Sequence, residues 1–276
     1  MPCINNSKEP LDKRMTDLFD KQQLDEQNQA VDEDAPKLDI LYQDEHLVAV
    51  NKPSGLFVHR SYLDRDQKYF ALQLVRDLVG QYVYPLHRLD RPTSGVLLFA
   101  LDQQTARLMG QAFMDKKMDK QYLAVSRGHA PQRGHIDYPL KEKLDKIGDK
   151  YANAEAAEKQ AQTDYRRLAT ATLDIAVGKY PSVRYSLLEL SPHTGRRHQI
   201  RRHLAHLRHP IIGDINYGDN KQNPFFREHF AINRLMLHAK VLSFEHPYSK
   251  QLVTIEAPLD EQWRKLFVEL DWLSFF

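Results

Sequence analysis

Residues 87–95, HRLDRPTSG, place one acidic side chain between two cationic ones. Arg88 and Arg91 flank Asp90, and nearby positive charges favour an ionised carboxylate. An ionised carboxylate on a loop beside a cationic surface suits a nucleophile or a base that acts on a nucleotide. The alternative is an ordinary Asp that stabilises a turn through its side-chain oxygen. The spacing alone does not separate these two interpretations.

A second segment, residues 193–209, carries the densest positive charge of the chain. Its sequence, HTGRRHQIRRHLAHLRH, holds five Arg and five of the thirteen His, and residues 191–212 contain no Asp or Glu. Such segregation is expected where a protein contacts phosphate groups, although many charged stretches are only solvated helix faces. Ile200, Leu204 and Leu207 recur at about helical spacing, which predicts a helix whose apolar stripe docks on the core.

Several other chemistries find little support in the residues. The eleven glycines form neither a dinucleotide-binding fingerprint nor a phosphate-binding loop. The single cysteine, Cys3, lies in an acidic stretch, so a thiol nucleophile is not expected. A zinc site through His203, His206 and His209 is not expected either, because the first and third would point about 240° apart on one helix. A serine nucleophile at Ser94 is not expected either, because the sequence shows no arranged triad to support it.

The distribution of charge along the chain predicts two regions. Residues 1–36 hold four Lys/Arg and nine Asp/Glu, so the net charge of +2 combines −5 in this stretch with +7 in the remainder. We expect residues 1–37 to be a mobile extension with a short helix at 15–24, and residues 38–276 to be one catalytic domain. No apolar run could span a bilayer and no secretory signal is visible, which predicts a cytoplasmic protein.

The elements that must position these segments are mostly strands. Periodicity predicts helices at 68–78, at 103–116 with Asp102 as the N-cap, and at 260–272. Residues 51–55 are expected to form a turn and residues 141–162 an exposed excursion. We therefore expect an α+β fold with a mixed, largely antiparallel central sheet and flanking helices. The predicted strands are residues 40–42, 46–50, 94–101, 121–126, 182–190, 235–244 and 252–255.

The segment HRLDRPTSG resembles the central motif of the RluA-type pseudouridine synthases. Five other segments occur in the order found in that family, and the resemblance covers about residues 38–260. They are NKPSG at 51–55, KQYLA at 120–124, TGRRHQIR at 194–201, HPIIGD at 209–214 and LHA at 237–239.

The resemblance implies the α+β catalytic fold of that family and a specific reaction. Such enzymes detach uracil from C1′ of the ribose, turn it and rejoin it through C5, without a metal or an organic cofactor. Asp90 would be the catalytic carboxylate, and Arg196 would pair with it. Tyr122 would stack on the uracil and accept or relay the C5 proton. Arg88 would fill the gap left by the flipped nucleotide. The alternatives are core packing for Tyr122 and a phosphate contact for Arg196.

The resemblance also implies that RNA is the partner. Arg197, Arg201, Arg202 and Arg208 would hold phosphates, which position a substrate without reading its sequence. Residues 58–66 and 201–214 are most similar to family members that modify the tRNA uridine conventionally numbered 65, and residues 62–66 would contribute to that choice. The alternatives are a synthase acting on ribosomal RNA, a non-catalytic RNA-binding protein and a metal-dependent RNA hydrolase. We expect a monomer without a membrane partner.

Overall fold

Strands dominate the part of the chain that the structure describes. The computed structural model describes residues 35–60, 67–141 and 157–276. Its helices are α1 (Ala71–Val79), α2 (Gln103–Met114), α3 (Gln199–His206), α4 (Gln222–Phe230) and α5 (Glu261–Glu269), and a 3-10 helix covers Leu273–Phe275. The strands are β1 (Asp39–Gln43), β2 (Leu47–Lys52), β3 (Tyr84–Pro85), β4 (Ser94–Ala100), β5 (Met118–Arg127), β6 (Arg133–Asp137), β7 (Leu140–Lys141), β8 (Glu158–Lys159), β9 (Gln162–Leu173), β10 (Val183–Pro192), β11 (Leu237–Glu245) and β12 (Leu252–Glu256).

Ten of these strands form one central sheet. Its order is β1-β2-β4-β11-β5-β10-β9-β6, with β12 beside β11 and β3 beside β4, while β7 and β8 pair with each other. Among the described strands only β4 and β11 pair in parallel, and the other pairs are antiparallel. The predicted α+β fold with a mixed, largely antiparallel sheet is confirmed.

The apolar residues of the sheet are buried on both of its faces. Every residue of β4, SGVLLFA, is buried, as expected for a central strand with helices and loops on either side. Alternate residues of β4 face two different clusters, one with Leu97 and Val75 of α1 and one with Leu98 and Met109 of α2. A third cluster joins β5 and β10 to α3 and α5.

The parallel seam between β4 and β11 is short and close. His238 lies opposite Ser94 and Ala239 lies opposite Gly95. Gly95 has φ +113°, and a Cβ atom there would stand 2.1 Å from the carbonyl oxygen of Ala239. Only glycine allows both this backbone conformation and this approach. The strand that follows the Asp90 loop therefore enters the sheet through a contact that requires glycine.

The helix predictions agree with the structure within a few residues. The Asp102 carboxylate accepts a hydrogen bond from the Thr105 amide, so its N-cap role is confirmed. Residues 15–24, 62–66 and most of 141–162 lie outside the described residues. Residues 37–276 form one compact unit, and no helix in the described part of the chain is long and apolar enough to cross a membrane.

Candidate active site

Asp90 lies on the loop that leads into β4, and two cationic or ionisable side chains face its carboxylate. Nη1 of Arg201 donates a hydrogen bond to Oδ2 over 3.3 Å. Nε2 of His198 lies 3.9 Å from Oδ1. The Asp90 side chain remains 17% exposed, so a ligand can reach it from solvent. The chain turns after Asp90 through its backbone, because the Thr93 amide donates to the Asp90 backbone carbonyl and not to the side-chain oxygen that the alternative interpretation requires.

The turn at residues 51–55 supports the Asp90 loop through hydrogen bonds to its backbone. The ammonium group of Lys52 is fully buried and donates to the carbonyls of Pro53, Leu56 and Arg91 at 2.8–3.1 Å. Ser54 donates to the Pro92 carbonyl, and the Gly55 amide donates to that of Arg91. These bonds fix the backbone directly after Asp90. Burial, together with the nearby Arg234 charge, lowers the pKa of Lys52 to about 7.

Arg201 is anchored by a second carboxylate on its other side. Its Nε and Nη2 each donate to Asp214 over 2.8 Å, a bidentate pair in which both side chains are buried. Burial alone would raise the pKa of Asp214, but the hydrogen bonds and charge of Arg201 outweigh it and lower that pKa. For Arg201, burial is likewise outweighed, by Asp214 and Asp90, and its pKa is raised. The guanidinium is therefore a fixed positive charge beside Asp90.

The predicted pairing of Arg196 with Asp90 is wrong. The Arg196 side chain is exposed, and its Nε donates to the carbonyl of Gln160. Helix α3 begins only at Gln199, so Arg196 lies in the preceding loop, whereas Arg201 lies in the first turns of the helix. Arg201 was also expected to hold an RNA phosphate. That expectation is wrong as well, because its side chain is only 3% exposed and engaged with two carboxylates.

Hydrogen bonds at the start of α3 fix the position of the helix and therefore of Arg201. The side-chain oxygen of Gln199 accepts hydrogen bonds from the Thr194 hydroxyl and the Arg196 backbone amide. Its side-chain nitrogen donates to the Gln162 carbonyl and the Thr163 hydroxyl. His198, at the N-cap, has φ +54°, a left-handed conformation uncommon outside glycine. The helix then buries Ile200 and Leu204 and half-buries Leu207, as the spacing predicts.

His198 is held beside Asp90 by Tyr217. Its Nδ1 lies 3.1 Å from the Tyr217 hydroxyl, and the two rings meet edge to face. Burial, reinforced by the charges of Arg201 and Arg197, lowers the pKa of His198 despite the opposing Asp90 charge. The imidazole is therefore neutral at neutral pH, and Asp90 keeps Arg201 as its hydrogen-bonded cation.

Tyr122 lies on β5, between the strands that carry Leu190 and Ala239. It is half-buried and packs against two of the apolar clusters. Burial and the negative charge of Asp90 together raise the pKa of its phenol. The raised pKa keeps the Tyr122 hydroxyl protonated at neutral pH.

The remaining predicted arginines lie at or near the surface. Arg88 and Arg208 are exposed, Arg197 and Arg202 are half-buried, and Arg202 donates to the Lys141 carbonyl. Arg88 immediately precedes the buried Leu89 and stands two positions before Asp90. The exposed cations thus flank the same loop and helix that position Asp90 and Arg201.

Several histidines of the two motifs have structural roles. His87 accepts a hydrogen bond from the Leu98 amide, and burial lowers its pKa to about 4. His203 is buried between Thr163 and the Tyr138 carbonyl, and His206 stacks on Tyr138. His209 contacts the Arg127 carbonyl. Each of these rings contacts other protein groups, and His203 and His206 share Tyr138 as a neighbour.

Ser94 is buried and forms hydrogen bonds with His238 and Arg234. The other ring nitrogen of His238 contacts the Ala257 carbonyl, not a carboxylate. The group ties β4 to β11 at the parallel seam. We assign this group a structural role, because the His238 ring contacts a backbone carbonyl where a catalytic triad would need a carboxylate.

Sequence reasoning assigned no role to Lys52, His198 or Asp214, which all belong to this network. All three lie in the motif segments quoted above, and Asp214 is the first acidic residue after the acid-free run 191–212. Glu189 and Asp214 are the acidic residues nearest the two ends of this run, so the sequence could have offered Asp214 as one candidate partner for a buried Arg. Outside this network, the described His and acidic side chains that converge closely enough for a metal ion are His135, Asp164 and His193.

Comparisons with known proteins identify the family. The model of the family described as RNA pseudouridylate synthase matches residues 46–206. Proteins named tRNA pseudouridine synthase C from Haemophilus ducreyi and Vibrio cholerae are each 54% identical, over 86% and 85% of this chain and 97% and 96% of theirs.

Two solved structures also resemble the chain. Human RNA pseudouridylate synthase domain containing 1 has a TM-score of 0.61 at 26% identity, covering 81% of this chain and 84% of its own. Human RNA pseudouridylate synthase domain containing 4 has a TM-score of 0.62 at 26% identity, covering 84% and 92%. The motif matches, the fold and these similarities lead to one conclusion. The chain belongs to the RNA pseudouridylate synthase family and is an RNA pseudouridine synthase.

Proposed function

We propose that this enzyme isomerises a uridine in tRNA to pseudouridine, that Asp90 is its catalytic carboxylate and that it needs no cofactor. The observation that carries the proposal is the Asp90 carboxylate itself. It is partly open to solvent, hydrogen-bonded to a buried Arg201, and faced by the imidazole of His198. The compact unit from residue 37 onward supports residues 38–276 as the catalytic domain.

The reaction breaks the bond between C1′ and N1 and forms one between C1′ and C5, while C5 loses a proton and N1 gains one. Positive charge develops on the sugar as the first bond breaks, and a fixed carboxylate stabilises it. Asp90 can act by adding to C1′ or by removing a proton from the ribose. Both routes require an ionised Asp90, and the Arg201 guanidinium donates a hydrogen bond to that carboxylate.

The geometry suggests how other residues contribute. Tyr122 would stack on the uracil between the apolar clusters. Because its pKa is raised, the phenol acts as a hydrogen-bond donor or a proton relay rather than as a standing base. Arg88, exposed two positions before Asp90, would occupy the gap left by the flipped nucleotide. Arg197, Arg202 and Arg208 would contact phosphates.

Transfer RNA is proposed as the substrate because proteins named tRNA pseudouridine synthase C align over most of the chain. The target would be the uridine conventionally numbered 65, reached by a monomeric, cytoplasmic enzyme. A synthase that acts on ribosomal RNA would share the same chemistry, and a non-catalytic RNA-binding protein would lack turnover.

The test uses tRNA transcripts labelled with tritium at C5 of uridine, since each isomerisation releases that hydrogen to water. The unmodified enzyme should release one equivalent per tRNA, and Asp90→Asn should release none while still binding the tRNA. Asp77→Asn, which alters an exposed carboxylate on α1, is the matched control and should retain full activity.

Two further experiments test the target position in the tRNA and the proposed independence from a metal cofactor. A transcript with cytidine at position 65 should release no tritium, and activity should survive dialysis against EDTA. Full activity of Asp90→Asn would refute the proposed mechanism. Activity on ribosomal RNA fragments with none on tRNA would refute the proposed substrate.

A further inference from the structure

Three neighbouring strands bring two histidines and an aspartate together away from the Asp90 network. His135 of β6 lies directly opposite Asp164 of β9 in the antiparallel register. His193 follows the end of β10, and its backbone amide extends the ladder by donating to the Gln162 carbonyl. The three side chains therefore converge on one face of a well-paired part of the sheet.

The contacts among these side chains are short. Nδ1 of His135 lies 2.5 Å from Oδ1 of Asp164, and Nε2 of His193 lies 2.7 Å from Oδ2. One ligand atom from each residue lies within 4.8 Å of the other two. Each side chain is about half-exposed, at 52%, 48% and 49%. The rings can thus adjust without disturbing the core.

We propose that His135, Asp164 and His193 bind one divalent transition-metal ion, with Zn²⁺ as the best match. Two imidazole nitrogens and one carboxylate oxygen are ligands that Zn²⁺ takes at about 2.0–2.2 Å. Mg²⁺ and Ca²⁺ prefer shells made of oxygen atoms, which this set does not supply. The ion takes the place of the hydrogens now shared with the Asp164 carboxylate, and each ring moves back by less than about 1 Å to reach tetrahedral spacing.

The surroundings leave room for the rest of the coordination shell. An open cleft of about 500 Å³ borders the cluster, lined also by Arg133, Arg166 and Glu189. Arg166 donates two hydrogen bonds to the Glu189 carboxylate, so the charges of these two side chains offset each other. Water from the cleft can fill the remaining position of a tetrahedral site.

The ion would be structural and independent of the proposed chemistry. It would join β6 and β9 to the residue that opens the loop 194–198, and that loop leads into the helix carrying Arg201. Metal binding to the folded chain alone stabilises the folded state by mass action. The proposal therefore stands or falls separately from the assignment of Asp90.

The experiment uses the full chain without an affinity tag, stripped with EDTA and titrated with ZnCl₂ by calorimetry. We expect saturable binding of one Zn²⁺ per chain and a higher melting temperature with the metal. Co²⁺ added in place of zinc should give visible absorption bands typical of nitrogen and oxygen ligation.

Asp164→Asn and His135→Ala should each weaken Zn²⁺ binding at least tenfold and abolish the rise in melting temperature. His193→Asn serves as a second ligand variant, and circular dichroism of each stripped protein checks its fold. The matched control is His129→Ala, which removes an exposed imidazole that contacts Ala171 and Thr172. The proposal is overturned if zinc binds without saturation, or if the three ligand variants bind it as tightly as the control does.

Discussion

Nη1 of Arg201 reaches the Asp90 carboxylate over 3.3 Å, although the two residues are 111 positions apart. The other two nitrogens of the same guanidinium, Nε and Nη2, each donate a hydrogen bond to Asp214 over 2.8 Å. Arg201 is thus oriented by one buried carboxylate so that it faces the other. A planar guanidinium can bridge two carboxylates in this way, while a lysine ammonium cannot reproduce the geometry.

Replacing Arg201 with Lys should therefore slow pseudouridine formation much more than replacing Arg196 with Lys. Loss of a positioned charge-stabilising donor typically costs about 10²–10³-fold in rate. Arg196 is exposed and bonded to a backbone carbonyl, so Arg196→Lys should change the rate only slightly. Single-turnover rates at saturating tRNA measure both. Equal losses in the two variants would contradict the assignment of Arg201.

Asp214→Asn should destabilise the folded protein strongly. It removes one partner of a buried ion pair and leaves the Arg201 charge without its anchor, a change that costs about 3–5 kcal/mol. Glu245→Gln is the matched comparison, because the Glu245–Lys250 pair is exposed and should contribute less than about 1 kcal/mol. Urea-induced unfolding gives both free energies. A loss at Asp214 no larger than that at Glu245 would show that the pair is not a structural anchor.

The arginines that we propose as phosphate contacts can be tested through the salt dependence of tRNA binding. Arg208 is exposed, whereas Arg201 is buried, so Arg208→Gln should remove a phosphate contact without disturbing Asp90. The slope of log affinity against log salt concentration should become shallower by about 0.7–0.9. Arg264→Gln on α5, which pairs only with Glu261 among the ion pairs described, serves as the control. Filter binding at several salt concentrations measures the slope, and identical slopes would exclude Arg208 from the RNA surface.

Two histidines, the half-buried His87 and the buried His238, should make the free energy of unfolding depend on pH in a defined window. Burial lowers the pKa of His87 and of His238 to about 4, whereas an unfolded histidine titrates at about 6.5. Between these values the unfolded chain binds more protons, so the free energy of unfolding falls as pH falls. Each histidine contributes at most about 1.4 kcal/mol per pH unit.

His238→Gln should flatten this dependence, because the amide can still bond Ser94 and the Ala257 carbonyl but does not titrate. Urea unfolding at pH 6.5 and 5 compares the variant with the parent, and exposed His229→Gln is the control. A variant with the same pH dependence as the parent would contradict the burial argument.

Much of the fold follows from local patterns, and its exceptions have physical causes. The apolar run of β4 and the stripe of α3 are visible because burial requires them on a fixed period. Strand β9 was missed because its residues are mostly half-buried Thr, Ala and Arg, so no apolar alternation stands out. The neighbouring strand β10, predicted at 182–190, has the strong alternation of apolar and polar residues that β9 lacks.

The site was predictable in type but not in its pairings. Flanking arginines identify Asp90, but which Arg pairs with it depends on where α3 begins and on Asp214, thirteen positions beyond Arg201. Both conditions are settled by tertiary packing. The motif TGRRHQIR together with Arg202 contains four arginines in nine residues, and its sequence gives no local means to choose among them.

The parallel seam between β4 and β11 has a consequence for how the enzyme is made. Ser94 and His238 are 144 positions apart, so the Asp90 loop gains its final support only when β11 is in place. During synthesis the chain emerges from its N-terminal end, and contacts between distant segments form last. A ribosome-bound chain that stops short of β11 therefore holds Asp90 and Arg201 yet lacks the assembled site. We therefore expect the proposed activity of Asp90 to appear only after β11 has been synthesised and paired with β4.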